Sequence, residues 1–140
     1  MNIDSIKNGV VIDHITAGKA MQIYNMLNLD NLDCQVAIIM NTQSAKMGKK
    51  DIIKIATTEV ELDLDVLGYV SPTITVDIIA DGVCTEKRHI DLPERLVDII
   101  KCKNPRCITT TEQEIHHIFE LADREKGEYR CLYCDTKAGI

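Results

Sequence analysis

Residues 102–134 read CKNPRCITTTEQEIHHIFELADREKGEYRCLYC, and the four cysteines in this stretch decide how the chain is built. They fall in two tight pairs: Cys102 and Cys107 with four residues between them, Cys131 and Cys134 with two, separated by a 23-residue excursion. Two short loops that each present two sulfurs from one side assemble a tetrahedral thiolate shell at little entropic cost, and that shell is the one zinc favours. Asn104 and Pro105 suit the turn that must aim the first pair inward. A fragment of about 40 residues buries too little surface to fold without a metal, disulfides or a partner, and the cysteine-bearing tail is of that size. The expectation is one structural Zn²⁺ held by Cys102, Cys107, Cys131 and Cys134, with no open position for water or substrate and therefore no chemistry of its own. A redox pair and an iron–sulfur site compete with this reading, although redox work more naturally uses a single Cys-x-x-Cys beside a βαβ pattern.

The opening "MNIDSIKNGVVIDH" lacks the basic stretch and continuous apolar core of a signal peptide, and no run approaches the roughly 18 apolar residues of a membrane span. A cytoplasmic protein without membrane association is expected, and in a reducing compartment paired cysteines point to metal rather than to disulfides. With 45% hydrophobic and 27% charged residues the chain has enough apolar surface to fold. Residues 101–140 carry seven Lys or Arg against seven Asp or Glu, and residues 1–100 carry nine against fifteen. Neither part is basic, which argues against nucleic acid, since phosphate-backbone affinity comes from clustered cations. Cys34 and Cys84 lie in apolar, strand-like stretches and read as buried small hydrophobes.

Outward from the tail, the first hundred residues alternate elements. "VVIDHI" (10–15) reads as a strand, and "AGKAMQIYNML" (17–27) spaces Ala17, Ala20, Met21, Tyr24 and Leu27 as a helix with Thr16 as its cap. "CQVAIIM" (34–40) and "DIIKIA" (51–56) are strands joined by a polar loop. "TEVELDLDVLGYV" (58–70) fits both periods; we read it as a helix on Val60, Leu64 and Leu67 that Gly68 closes. "TITVDII" and "VCTEKRHI" flank "ADG", whose Asp81 and Gly82 mark a hairpin. The predicted fold is α+β: a ferredoxin-like β-α-β-β-α-β domain with one extra hairpin strand, then a small zinc domain, the link opening at "LPERL" with Pro93.

No Gly-rich phosphate loop and no nucleophile set appears, so interest falls on three polar features. Asp13 and His14 stand at a strand end, where the plain alternative is a turn cap and a surface imidazole. Lys54 lies between Ile53 and Ile55 and so projects from the opposite face, as a solvated lysine also would. Lys87, Arg88 and His89 cluster on the last strand, either as an anion site or as charge that protects an edge.

The order of these pieces resembles a known family. "IKNGVVIDHI", "MGKKDIIKI", "LPERL" and the Cys-x4-Cys, Cys-x2-Cys tail are similar to the regulatory chain of aspartate carbamoyltransferase over nearly the whole sequence. The resemblance implies a non-catalytic subunit of pyrimidine biosynthesis. Residues 1–93 would form an allosteric domain that binds CTP, ATP and often UTP, and residues 94–140 a zinc domain that docks on the catalytic chain. Regulatory chains would pair as a homodimer within an assembly of two catalytic trimers and three regulatory dimers. Carried over by position, Asp13 and Lys54 would meet the ribose, and His14 and Lys87 the phosphates. Ile3, Asp4, Ser5 and Ile6 would line the base, with Val11, Thr75, Asp77, Ile79, Gly82 and Cys84 at further nucleotide-facing positions. Two residues depart from the family pattern: Asp77 stands where Asn is common, and Gly82 where an aromatic residue often is. The family has strands around its metal, which implies a small antiparallel β zinc domain, so "EIHHIFELA" (114–122) is expected as strand despite its helical spacing, and His116 and His117 as surface or interface residues. A free-standing zinc-ribbon factor, with nucleic-acid binding that falls with salt, is the alternative; a metalloenzyme would need an open metal position.

Overall fold

A computed structural model describes residues 7–138 and divides the chain into two compact units between Asp91 and Leu92. The first unit is a five-stranded antiparallel sheet in the order β2-β3-β1-β4-β5. Its elements follow in sequence as β1 (Gly9–Thr16), α1 (Ala20–Met26), β2 (Val36–Ser44), β3 (Gly48–Ile55), α2 (Leu64–Val70), β4 (Thr75–Ala80) and β5 (Val83–His89). That is the expected β-α-β-β-α-β order with the hairpin strand added beside β4.

Strand alternation sorts the side chains. Val10, Ile12, Ile53, Ile55 and Val76 point to one face and are 5% exposed or less, sealed together with Ala20 and Ile23 of α1 and Val66, Leu67 and Val70 of α2. Each such aliphatic side chain contributes about 1.5–3 kcal/mol on burial, and neither seven-residue helix would persist without this packing. Both helices serve the same face, leaving the other without a covering helix among the described residues.

Several local expectations are corrected. The buried residues of α1 are Ala20 and Ile23, whereas Met21 is 43% exposed, so the helix rests on a stripe offset from the one its spacing indicated. Thr16 does not cap α1. Its hydroxyl bonds Ser71 Oγ at 2.8 Å, and the cap is Asp51, remote in sequence, whose Oδ2 accepts from Gly18 N (2.9 Å) and Ala20 N (3.2 Å). The second helix begins only at Leu64, where the Asp63 carboxylate accepts from Asp65 N, and Gly68 lies buried inside it rather than closing it. Residues 57–63 are irregular. Cys34 is only half-buried and Cys84 is exposed, because β5 is an edge strand with all seven residues open to solvent.

Asp81 and Gly82 take φ values of 51° and 78°, as a two-residue turn of mirrored type demands, and Gly is the residue that holds the second position without strain. The second unit is a three-stranded antiparallel sheet of β6 (Arg95–Val97), β7 (Ile118–Asp123) and β8 (Glu128–Cys131), in that order, with a one-turn helix α3 (Ile108–Thr111). The 114–122 stretch is thus strand from Ile118 onward, and its helical spacing misleads because Phe119 alone of its apolar residues is fully buried. Tyr129, 1% exposed, donates its hydroxyl to Pro93 O and so fixes the start of this unit.

Candidate functional site

The four cysteines converge. Their sulfurs lie within 4.8 Å of one another, with Cys102 Sγ 3.5 Å from Cys134 Sγ and Cys107 Sγ 3.7 Å from Cys131 Sγ. For bonds of about 2.3 Å, the zinc–thiolate length, a regular tetrahedron has edges of about 3.8 Å, so these sulfurs are spaced as one ion would space them. Local hydrogen bonds shape both loops. Asn104 accepts from Arg106 N through its side chain (3.0 Å) and from Cys107 N through its carbonyl (3.1 Å), while Cys131 O accepts from Asp135 N (2.9 Å). Burial pushes the Cys102 thiol up to about 12, and the Thr136 hydroxyl, 3.1 Å from the sulfur, draws Cys134 down to about 6. A metal cation bound between them takes all four sulfurs as thiolates. This is a structural metal centre with no open coordination position.

His117 is more than a surface residue. Its Nδ1 accepts the backbone N–H of Cys102 at 3.2 Å, which ties β7 to the first metal loop. Asp98 in turn accepts from His117 N through Oδ1 (2.9 Å) and bonds His116 Nδ1 through Oδ2. The sequence offered the two imidazoles but no sign of which one supports the centre.

The second site is the uncovered sheet face. Register places Ala37, Lys54, Val11, Asp77 and Lys87 in one row across all five strands. On one side of that row Asp13 pairs with Thr75 and Thr75 with His89; on the other, Gly9 pairs with Ile79 and Ile79 with Cys84. Eight of the residues singled out in the sequence, Val11, Asp13, Lys54, Thr75, Asp77, Ile79, Cys84 and Lys87, therefore share one face. Lys54 is on it for the predicted reason, opposite the fully buried Ile53 and Ile55. Gly82 sits at the adjoining hairpin tip, where its N–H donates to Lys7 O at 2.8 Å. Ile3, Asp4, Ser5 and Ile6 lie outside the described residues.

A β-bulge resolves the placement of Asp13 and His14. Between Ile12 and Ile15 the register with β3 gains one residue on β1, and His14 takes a φ of 58°. The extra residue brings both side chains to the open face. The His14 N–H donates to Asp13 Oδ1 (2.6 Å) and the ring Nδ1 bonds Thr75 Oγ1 (3.0 Å), so Asp13 does not cap the following turn. Asp13 also pairs with Lys50 Nζ at 2.9 Å. Burial works to raise its carboxyl, but Lys50 and the His14 N–H outweigh that and hold it below its ordinary value. Lys50 was missed in the sequence; the alternation of β3 that singled out Lys54 selects it equally. A cavity of about 320 Å³ adjoins this corner, lined by His14, Lys46, Thr73 and His89 among others.

Chemically, the face offers ammonium and imidazole donors to an anion, a carboxylate to hydroxyl groups, and the apolar Val11 and Ile79 to a ring. Among the described residues no helix is long and apolar enough to cross a membrane.

Comparison with known proteins places both units in one family. The family model of the aspartate carbamoyltransferase regulatory chain, allosteric domain, matches residues 1–91, and that of the same chain's metal-binding domain matches residues 94–139. Proteins named aspartate carbamoyltransferase regulatory chain from Clostridium tetani and Clostridium acetobutylicum are 54% and 52% identical over 135 residues, 96% of this chain and 94% and 92% of theirs. One from Bifidobacterium longum is 45% identical over the full length of both. The chain, non-catalytic and built from an allosteric and a metal-binding domain, belongs to the aspartate carbamoyltransferase regulatory chain family.

Proposed function

We propose that this chain binds nucleotide effectors on its open sheet face and transmits their binding to a catalytic chain of aspartate carbamoyltransferase through the metal domain, with Zn²⁺ as the metal. The observation that carries the reading is the convergence of Val11, Asp13, Lys54, Thr75, Asp77, Ile79, Cys84 and Lys87 on one face beside His14. From Ile79 to Thr75 the face runs four residues, about 13 Å, which accommodates a base, a sugar and a polyphosphate laid along the strands. Lys87, His14 and Lys50 supply charge-assisted donors to the phosphates of CTP, ATP or UTP, while Asp13 and Lys54 address the ribose. Ile79, Cys84 and the Gly82 turn form the base end, and the family likeness assigns Asp4, Ser5 and Ile6, which lie outside the described residues, to the same base.

Control follows from linkage. A nucleotide that binds two states of the assembled enzyme unequally shifts their equilibrium, and substrates reciprocally shift nucleotide affinity. The chain works in the cytoplasm as a homodimer with its partner, residues 1–93 serving nucleotides and 94–140 the catalytic chain. Calorimetric titration with CTP, ATP and UTP tests the effector half: Lys87→Ala should weaken triphosphate binding by about 1–3 kcal/mol, and an unchanged titration removes Lys87 from the site. Co-purification with the catalytic chain before and after chelation tests the other half, since undiminished assembly of metal-free chain is incompatible with docking through the metal domain.

A further inference from the structure

Asp77 stands in the middle of the open face without the partner its position calls for. Its Oδ1 is buried and takes no hydrogen bond among the described residues, whereas Asp13, the other carboxylate of the face, is satisfied by Lys50 and the His14 N–H. Lys87 lies directly across on the exposed strand β5, yet no ion pair within 4 Å joins it to Asp77. The charged groups around Asp77 are Asp13 and His14 on β1, Lys50 and Lys54 on β3, and Lys87 and His89 on β5. An isolated sheet has no use for a carboxylate that is half-desolvated and unpaired among cations, because leaving a buried acceptor unmade is costly.

We propose that Asp77 is the charge discriminator of the effector face: while ionised it opposes a polyphosphate held by the neighbouring lysines, and once protonated it ceases to do so. The inference rests on the effector reading above and adds to it a residue that works against the ligand. Adjacent strands are about 4.8 Å apart, so a phosphate held by Lys87 lies about 6 Å from the Asp77 carboxylate. At that distance one unit of like charge lowers affinity roughly threefold under water-like screening and roughly tenfold at half that dielectric constant. A neutral nucleoside on the same face feels none of this. Burial keeps the Asp77 carboxyl above its ordinary value in spite of Lys87, so the opposition is relieved at a higher pH than an ordinary aspartate would allow.

The test is calorimetric titration of the metal-loaded full chain and of Asp77→Asn with CTP and with cytidine, from about pH 8 to about pH 5. Titration of CTP itself occurs with both proteins and cancels in their ratio. At the alkaline end Asp77→Asn should bind CTP roughly threefold to tenfold more tightly, the advantage should shrink toward one as the pH falls, and cytidine should not distinguish the two chains. Asp77→Thr, which keeps a strand-forming side chain, should behave as Asp77→Asn does. An advantage that is absent or reversed at about pH 8, or that is equally large for cytidine, overturns the proposal while leaving the effector reading standing. Failure of all these chains to bind CTP removes the effector reading and the proposal with it.

Discussion

Replacing Asp51 should unsettle the first unit more than any surface change on the ligand face. Its side chain is fully buried and accepts three backbone N–H groups: Gly18 at 2.9 Å and Ala20 at 3.2 Å through Oδ2, and Asn41 at 2.9 Å through Oδ1. The first two start α1. The third holds the bulge of β2, where Asn41 has a φ of 59°, and Asp51 itself pairs with Ile15 just past the bulge of β1. Hydrogen bonds to a charged group contribute about 1.5–3 kcal/mol each, and an orphaned buried donor costs about 1–3 kcal/mol. Gly18 and Asn41 are exposed, so water can replace part of what they lose, whereas Ala20 is sealed. Asp51→Asn keeps one acceptor oxygen but turns an amide donor toward other donors, a loss of about 2–4 kcal/mol; Asp51→Ala should lose about 3–5 kcal/mol. For a unit of this size that is a fall of about 10–25 °C in Tm. Urea denaturation of the metal-loaded chain followed by far-UV circular dichroism measures it, and a chromophoric chelator that reports metal release follows the second unit separately. The circular-dichroism transition should move while metal release does not. A midpoint for Asp51→Asn within about 0.5 kcal/mol of the native value would refute the assignment of Asp51 as the cap and bulge anchor.

Cys107→Ser should reduce bound metal from one ion per chain to none by elemental analysis and unfold the second unit, while the circular dichroism of the first persists, because the sulfur cage replaces a core too small to fold alone. His117→Ala removes the acceptor for Cys102 N–H and should weaken metal binding about 10–100-fold in a chelator competition, whereas His116→Ala, which touches no ligand, should not. The two carboxylates of the open face have opposite pH signatures in urea melts. Asp13 lies below its ordinary value, so its contribution is present above about pH 3.8 and is lost as the pH falls through the lowered value. Asp77 lies above its ordinary value, so its ionisation penalty is absent below about pH 3.8 and grows as the pH rises through the raised one. Asp77→Asn should therefore stabilise the chain at neutral pH and be without effect in acid.

Which parts of this fold were legible follows from what each residue's signal depends on. The sulfur cage was fully legible because ligand identity and loop length constrain a tetrahedral site locally. The strand order was legible because Ile53 and Ile55 alternate with Lys54, and Asp81-Gly82 specifies its turn almost alone. The start of α2 was not: Val60, Leu62 and Leu64 alternate as a strand would, Val60, Leu64 and Leu67 fit one helical face, and the Asp63 carboxylate, accepting from Asp65 N and Val66 N, starts the helix only at Leu64. The cap of α1 was hidden for a stronger reason. Asp51 serves it from 31 residues away, and a long-range acceptor leaves no spacing to read.

The same distinction governs the open face. Alternation alone assigns Val11, Asp13, Lys54, Thr75, Asp77 and Ile79 to one side, but His14 joins them only because a bulge shifts the register by one residue, and a bulge has no sequence signature beyond a residue that tolerates positive φ. Both bulges border β3 at Asp51, so the geometry of Asp13 and His14 is set by a carboxylate on the opposite face of the sheet. The ligand face is thus not an independent surface decorated with polar groups. A change at Asp51 that lets the β1 bulge slip would carry His14 away from Thr75 and Asp13 away from Lys50, losing the face's chemistry before any of its own residues is altered.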